Sequence, residues 1–134
     1  KPIRWILDDA RKFIQREIKR GRKYDGIILD PPAFGHGPNK ELWKIEDDLL
    51  LLLQLCKDAM SDKPLFFLIN GYASGYSAIT YENNLRALFA EGNFEQGELT
   101  IRESLPAGGH GKSGRLLPCG IFARWENIEV TRNS

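Results

Sequence analysis

The residues best suited to chemistry stand together at Asp30, Pro31 and Pro32, directly after an apolar run. Proline has no backbone N–H and fixes φ, so the pair must end a strand and leave nearby carbonyls without partners in the sheet. The Asp30 carboxylate and these carbonyls are hydrogen-bond acceptors, while Phe34 adds a flat apolar surface and Gly35 leaves room for close approach. The stretch predicts a binding loop for a planar, amine-bearing ligand, with a simple rigid turn as the alternative.

Two further loops follow apolar runs in the same way. The segment "DDA" follows Ile3 to Leu7 and offers Asp8 or Asp9 as a helix cap, and "NGYASG" follows "LFFLI" and contains Tyr72. Parallel sheets bind ligands at the carboxyl ends of their strands. We therefore expect the three loops to lie along one rim of a sheet.

The apolar periodicity predicts alternating strands and helices, and this alternation would bring the three loops to one rim. Strand patterns occur at Ile3 to Leu7, Gly26 to Leu29 and "LFFLI", and helical patterns occur from Ala10 to the basic segment "KRGRK", from Lys40 to Ser61 and from Ala78 to about Gly92. This alternation predicts an α/β fold with a doubly wound, mostly parallel sheet that is covered by helices on both faces.

The pattern changes from helical to strand-like after residue 93. The segments "FEQGELTIRES" and "LLPCGIFARWENI" alternate with period two, which predicts a C-terminal antiparallel hairpin. One face of its second strand is expected to carry Leu117, Cys119, Ile121, Ala123 and Trp125.

The bulk composition excludes several classes of protein. The 134 residues suit one domain, and 19 basic against 18 acidic side chains produce no overall field that would demand a nucleic acid or a membrane. Cys56 and Cys119 lack a CxxC spacing, so two buried free thiols are expected rather than a zinc site or disulfide. The longest apolar run is too short to span a bilayer, and a cytoplasmic location is expected.

The stretch "ILDDARKFIQREIKRGRKYDGIILDPPAFG" resembles the class I S-adenosylmethionine-dependent methyltransferases, specifically the branch related to large-subunit ribosomal RNA methyltransferases. The resemblance covers nearly the whole chain but only the C-terminal half of that Rossmann-like fold. It implies that residues 1–134 form the C-terminal part of a single catalytic domain whose upstream cofactor-binding half is missing, as the absence of an initiating methionine also suggests. S-adenosylmethionine is the implied cofactor and ribosomal RNA the implied substrate, without a membrane or a metal.

The resemblance also assigns roles to individual residues. It implies that Asp9 and the backbone of Ala10 bind the adenine of the cofactor. The loop of Asp30, Pro31, Pro32 and Phe34 is implied to lie between methyl donor and acceptor as the catalytic loop, with Asp30 also next to the cofactor. Phe34 or Tyr72 could then stack on a base that has left its helix, although either ring could equally belong to a core.

The sequence departs from the family pattern in two places. The glycine-rich first loop and the acidic residue after the second strand do not occur in it, so the chain alone is expected to be inactive until an upstream half or another chain completes the sheet. Relatives that methylate carbon 5 of cytosine carry a cysteine near the end of the fifth strand, where this chain has "INGYASGYS". A base nitrogen is therefore the expected acceptor.

Two basic segments leave their roles open. The segment "GGHGKSGR" shares Gly-Lys-Ser with phosphate-binding loops, but a strand rather than a helix is expected after it. Lys112 and Arg115 could instead contact substrate phosphates, or the segment could be a plain hairpin loop. The segment "KRGRK" is either a solvated helix end or an RNA patch. A non-catalytic RNA-binding or assembly module remains the alternative function for the chain.

Overall fold

The computed structural model describes residues 2–37, 42–72, 75–104 and 114–131. None of the helices in these ranges is both long and apolar enough to cross a membrane. In chain order the elements are α1 (Ala10–Lys19), β1 (Gly26–Leu29), β2 (Phe34–His36), β3 (Leu42–Lys44), α2 (Ile45–Asp58), β4 (Phe66–Gly71), α3 (Ala78–Leu88), β5 (Asn93–Arg102), β6 (Leu116–Glu126) and α4 (Ile128–Thr131).

Four strands form one mixed sheet in the order β1-β4-β6-β5. β1 and β4 are parallel, whereas β6 runs antiparallel to both of its neighbours. Three of the four strands therefore point the same way, and the last two form the expected hairpin. The predicted α/β class, with a largely parallel sheet and a C-terminal antiparallel hairpin, is confirmed.

The buried core lies on one face of this sheet. The strand side chains that reach it are Phe67, Ile69, Ala123 and Trp125, with Ile27 and Leu29 packed at its margin. Helices α2 and α3 supply most of the opposing surface, including Leu53, Cys56, Tyr81 and Leu85. The burial of these apolar side chains is the main force that holds the helices to the sheet.

The opposite face of the sheet lies outside this core. The strand register places Ile28 beside Leu68, and Phe66 and Phe122 lie on the same side of the pleat. The Ile28 side chain is 66% exposed, and the other three are only partly buried. Helices α2 and α3 pack on the core face, and the exposure of Ile28 shows that the predicted cover of the opposite face is incomplete in the described part of the chain.

Residues 3 to 7 do not form the predicted strand. Trp5 is 87% exposed, and Leu7 has no burial at all. An apolar run becomes a strand only when a neighbouring strand accepts its hydrogen bonds. Within the described ranges no strand lies beside this segment, and the prediction is wrong here.

A small second sheet replaces part of the predicted loop and helix after β1. β2 and β3 pair antiparallel, and α2 begins at Ile45 rather than at Lys40. Acidic residues in the first turn of α2 favour this start because they face the positive end of the helix dipole. The Asp48 carboxylate also accepts the backbone N–H of Lys44 at 2.9 Å, which closes the helix end.

A bulge interrupts the β5–β6 hairpin at Cys119. Leu99 pairs with Gly120 and Thr100 pairs with Pro118, so Cys119 is the extra residue, and Gly120 adopts a φ of 139°. The bulge shifts the alternation, and Leu117 and Cys119 are exposed. The predicted face is therefore correct for Ile121, Ala123 and Trp125 and wrong for Leu117 and Cys119, and the predicted buried thiol is correct for Cys56 but wrong for Cys119.

The end of α1 is held by a buried carboxylate. Glu17 is 2% exposed and accepts hydrogen bonds from the Tyr24 hydroxyl at 2.6 Å, from Arg20 at 3.0 Å and from Arg22 at 3.5 Å. The Tyr24 hydrogen bond, helped by the two arginines, lowers the pKa of Glu17. Arg20 and Arg22 of the "KRGRK" segment therefore stabilise the fold through their hydrogen bonds to Glu17. Since α1 has ten residues, this segment lies about 15 Å from the helix N-terminus.

Candidate functional site

A cleft of about 860 Å³ lies at the carboxyl end of β1, between the N-terminus of α1 and the β2–β3 hairpin. This volume is typical of sites for small molecules and cofactors. Two of the three predicted loops, "DDA" and "DPPAFG", meet there, whereas none of the described residues of "NGYASG" lines the cleft. Its walls are formed by Leu7, Asp8, Asp9, Ala10, Arg11, Lys12, Leu29, Asp30, Pro31, Pro32, Gly35, His36, Gly37, Trp43 and Leu52.

The first wall is the N-terminus of α1. Asp9 is the N-cap, and its Oδ1 accepts the backbone N–H of Lys12 at 2.9 Å. Asp8 accepts the backbone N–H of Asp9 at 2.9 Å and pairs with Arg16. Ala10 is the first helical residue, and the first amides of a helix have no partner within it. The wall therefore presents one partly used carboxylate and backbone N–H donors.

The floor is the Asp-Pro-Pro loop. Asp30 is exposed to the cleft, while Pro31 is buried beneath it. The loop carbonyls are less available than the sequence suggests, because Pro32 accepts Trp43 Nε1 at 2.6 Å and Ala33 accepts the backbone N–H of Ile45 at 3.1 Å. The expectation of free carbonyls is wrong at these two positions. The Asp30 carboxylate remains the main acceptor on the floor.

The second wall is built around Trp43. Its indole lines the cleft and is fixed by the hydrogen bond to Pro32. The Arg11 guanidinium lies 5.5 Å from the centre of this ring and pairs with Asp48 at 2.9 Å. Arg11 thereby ties the first wall to the second, because one side chain contacts both β3 and α2.

Phe34 lies next to the cleft but does not line it. The ring is 53% exposed and meets His36 edge-on, with 5.1 Å between the ring centres. His36 and Gly35 line the cleft themselves. The stacking role of Phe34 therefore stays a prediction. Trp43 is the aromatic ring that lines the wall of the cleft.

Tyr72 and Arg115, which were also predicted to bind substrate, lie along the same rim but do not line the cleft. Tyr72 follows β4, is 84% exposed and lies near Gly120. Arg115 precedes the part of β6 that extends past the end of β4, and it pairs with Glu103 at 3.0 Å. Lys112, like His110, lies outside the described residues.

The sequence reasoning missed Trp43 and Arg11. Trp43 was expected inside a long helix, although the three acidic residues from Glu46 to Asp48 indicate that the helix begins only just before them. Arg11 carried no local signal, because its role depends on Asp48, which is 37 residues away.

The arrangement suits the binding of a polar, planar molecule. A carboxylate at Asp30, helix amides at Ala10 and a flat indole at Trp43 face the same space, and Leu29 and Leu52 supply an apolar lining. In the described parts of the chain no cluster of three or more His, Cys, Asp and Glu side chains could hold a metal ion.

Solved structures of methyltransferases share this fold. The SAM-dependent methyltransferase from Agrobacterium tumefaciens is 42% identical to the chain, with a TM-score of 0.82 over 93% of the chain and 40% of that protein. The chain belongs to the class I S-adenosylmethionine-dependent methyltransferases. No protein-family model and no curated protein sequence matches it.

Two more distant methyltransferase structures agree with this fold. SMU.776, solved in complex with SAH, has a TM-score of 0.59 at 16% identity over 89% of the chain and 30% of that protein. A methyltransferase candidate from Streptococcus mutans has a TM-score of 0.54 at 15% identity, over the same shares of both chains. The chain spans less than half the length of each of these methyltransferases.

Proposed function

We propose that the chain forms the acceptor side of an S-adenosylmethionine-dependent methyltransferase that modifies a base nitrogen in ribosomal RNA. The observation that carries the proposal is the position of Asp30, which is an accessible carboxylate on the floor of a cleft at the end of a parallel strand. Ligands bind at this edge in open α/β sheets. The type of reaction is inferred from the family, and the role of each residue is inferred from its position in the cleft.

S-adenosylmethionine is the cofactor of this family and provides an activated methyl group. The first wall of the cleft fits part of it, because adenine offers an amine to the Asp9 carboxylate and a ring nitrogen to a backbone N–H at Ala10. Asp9 uses one oxygen to cap α1, and a carboxylate has acceptor sites on both oxygens. Helix capping and adenine binding by Asp9 are therefore compatible.

A base in the cleft would be held by Asp30 and by the Trp43 indole. A carboxylate accepts hydrogen bonds from an amine, and an aromatic ring stacks on a base that has left its helix. Holding the nitrogen in line with the methyl group supplies much of the acceleration of such a transfer. The resemblance of residues 6–35 to the ribosomal RNA branch is the reason for preferring RNA to other substrates that carry an amine.

Paired substitutions in the full-length protein test the proposal. Asp30→Ala should abolish methyl transfer to unmodified ribosomal RNA and change cofactor affinity by only a few fold, because Asp30 orients the acceptor. Asp9→Ala should weaken cofactor binding by roughly 1 to 3 kcal/mol, the cost of an unmatched polar partner, with a smaller effect on the maximal rate. Calorimetry and incorporation of labelled methyl groups measure the two effects.

Asp62→Ala is the matched control, because Asp62 is an exposed carboxylate that lies before β4, at the other end of that strand from the cleft. Asp62→Ala should change neither methyl transfer nor cofactor affinity. Near-normal turnover of Asp30→Ala would remove Asp30 from the mechanism, and unchanged affinity of Asp9→Ala would leave Asp9 as a helix cap only. RNA binding without methyl transfer by the native protein would support the non-catalytic alternative.

A further inference from the structure

The hydroxyl of Tyr81 is buried without a hydrogen-bond partner. Tyr81 lies in α3, its side chain is fully buried, and its oxygen has no hydrogen-bond partner among the described residues. Leaving such a group unpaired costs about 1 to 3 kcal/mol. Phenylalanine would fill the same core position without this cost, so the hydroxyl calls for another explanation.

Gly71 makes the space that this hydroxyl occupies. A Cβ on Gly71 would lie 2.6 Å from the Tyr81 oxygen but 3.6 Å from the ring carbon that bears it. The first distance is a clash and the second is an ordinary contact. Gly71 is not among the described glycines with positive φ, so its backbone conformation does not require glycine. The glycine therefore accommodates the oxygen rather than the ring.

The hydroxyl lies beside Gly71, which is the last residue of β4. Leu29 pairs with Ile69 in the parallel register, and the same register carried on by two residues would bring Pro31, next to Asp30, level with Gly71. Burial raises the pKa of Tyr81, and the charges of Tyr76 and then Asp30 raise it further. The Asp30 side chain itself makes no hydrogen bond to any described residue. An unused donor and an unused acceptor thus lie at the same end of two paired strands.

We infer that Tyr81 is a positioning residue, whose hydroxyl donates a hydrogen bond to the Asp30 carboxylate when an acceptor base occupies the cleft. This inference rests on the proposed function, because it assigns the fixing of Asp30 to that reaction. The bond would hold one carboxylate oxygen and leave the other for the acceptor amine. The cost of the unpaired hydroxyl in the empty protein is then recovered in the loaded one.

Tyr81→Phe in the full-length protein tests the inference. At saturating cofactor we expect kcat for methyl transfer to fall roughly tenfold, as for the loss of one hydrogen bond to a charged group, with cofactor affinity unchanged. The Tm of the empty protein should stay the same or rise, because an unpaired buried oxygen is removed. Tyr76→Phe is the matched control: it removes the hydroxyl of the neighbouring ring, 5.6 Å away between centres, and should leave kcat unchanged.

A second pair of variants tests the geometry without a methyl acceptor. Gly71→Ala should lower the Tm, because the new methyl group meets the Tyr81 oxygen, and adding Tyr81→Phe should restore it. Failure of Phe to restore the Tm would overturn the inference, as would a marked loss of Tm in Tyr81→Phe alone. Full activity of Tyr81→Phe in an active protein would overturn the inference and leave the proposed function standing. Absence of methyl transfer by the native full-length protein would overturn both the inference and the proposed function.

Discussion

The two faces of the four-stranded sheet differ sharply although they share the same strands. Phe67 is fully buried against the helices, whereas its neighbour Phe66 lies on the other side, partly buried against Gly26. Ile28, on the same side as Phe66, is largely exposed. A continuous apolar run such as "LFFLI" is typical of a strand buried on both faces. The difference shows that the sequence of β4 is suited to more cover than the described helices provide.

The largest expected effect comes from a matched pair of substitutions at the centre of the sheet. In the 134-residue chain, Phe67→Ala should reduce the free energy of unfolding by about 3 to 5 kcal/mol, because it opens a cavity in a packed core. Phe66→Ala should cost only about 1 kcal/mol, because its ring is partly in water already. Urea unfolding followed by circular dichroism measures both values.

The same pair tests whether the open face gains cover in a longer protein. If an upstream segment packs on this face, the cost of Phe66→Ala should approach that of Phe67→Ala in the full-length protein. A cost for Phe66→Ala that stays near 1 kcal/mol in both proteins would show that the face is naturally open.

The second expected effect concerns association through the open face and the free edge of β1. Exposed strand edges and apolar patches recruit partners, so we expect the isolated chain to associate, unless an upstream half completes the sheet. Ile28→Lys should weaken self-association roughly tenfold in sedimentation, because it places a charge in the contact. The isolated chain should also show no binding of S-adenosylmethionine at micromolar concentrations. A stable monomer that binds the cofactor tightly would contradict both expectations.

The smallest expected effect is on stability, and it is tested with one carboxylate on each side of the sheet. Glu17 is buried with Tyr24, Arg20 and Arg22, and its lowered folded pKa means that it stabilises the fold above the ordinary value of 4.5. This contribution is lost as the pH falls through the folded pKa. The stability difference between the native protein and Glu17→Gln should therefore be largest at neutral pH and shrink below pH 4.5.

Glu95→Gln is the control for this comparison. Glu95 pairs with Arg124 at 2.6 Å on the open side, where both side chains are exposed to water. Such surface pairs contribute about 0 to 1 kcal/mol. A larger loss for Glu95→Gln than for Glu17→Gln in thermal unfolding at pH 7 would reverse the proposed ranking of the two sides.

The parts of the fold that were predictable are those with local causes. Asp30 could be placed at a strand end because prolines forbid the next ladder bonds, and Asp9 could be placed at a helix start because its side chain caps the amide three residues on. The position of Trp43 could not be predicted, because it depends on a hydrogen bond to Pro32 across a loop.

The remaining errors have non-local causes as well. The exposed thiol of Cys119 lies in a bulge and beyond the part of β6 that pairs with β4, and a bulge alters the side-chain alternation without an obvious change in composition. The run that contains Trp5 has the composition of a strand, but the described residues place no neighbour beside it. Pairing depends on a second segment, which local periodicity does not specify.

The three tryptophans of the chain lie in three different environments. Trp125 is buried in the core and stacked on Phe89 with 3.9 Å between ring centres, Trp5 is exposed, and Trp43 faces the cleft. Replacing both Trp5 and Trp125 with phenylalanine leaves the fluorescence of Trp43 alone. The indole of Trp43 then becomes an optical reporter of occupancy, because any planar molecule that stacks on it alters its emission before a single bond has been made or broken.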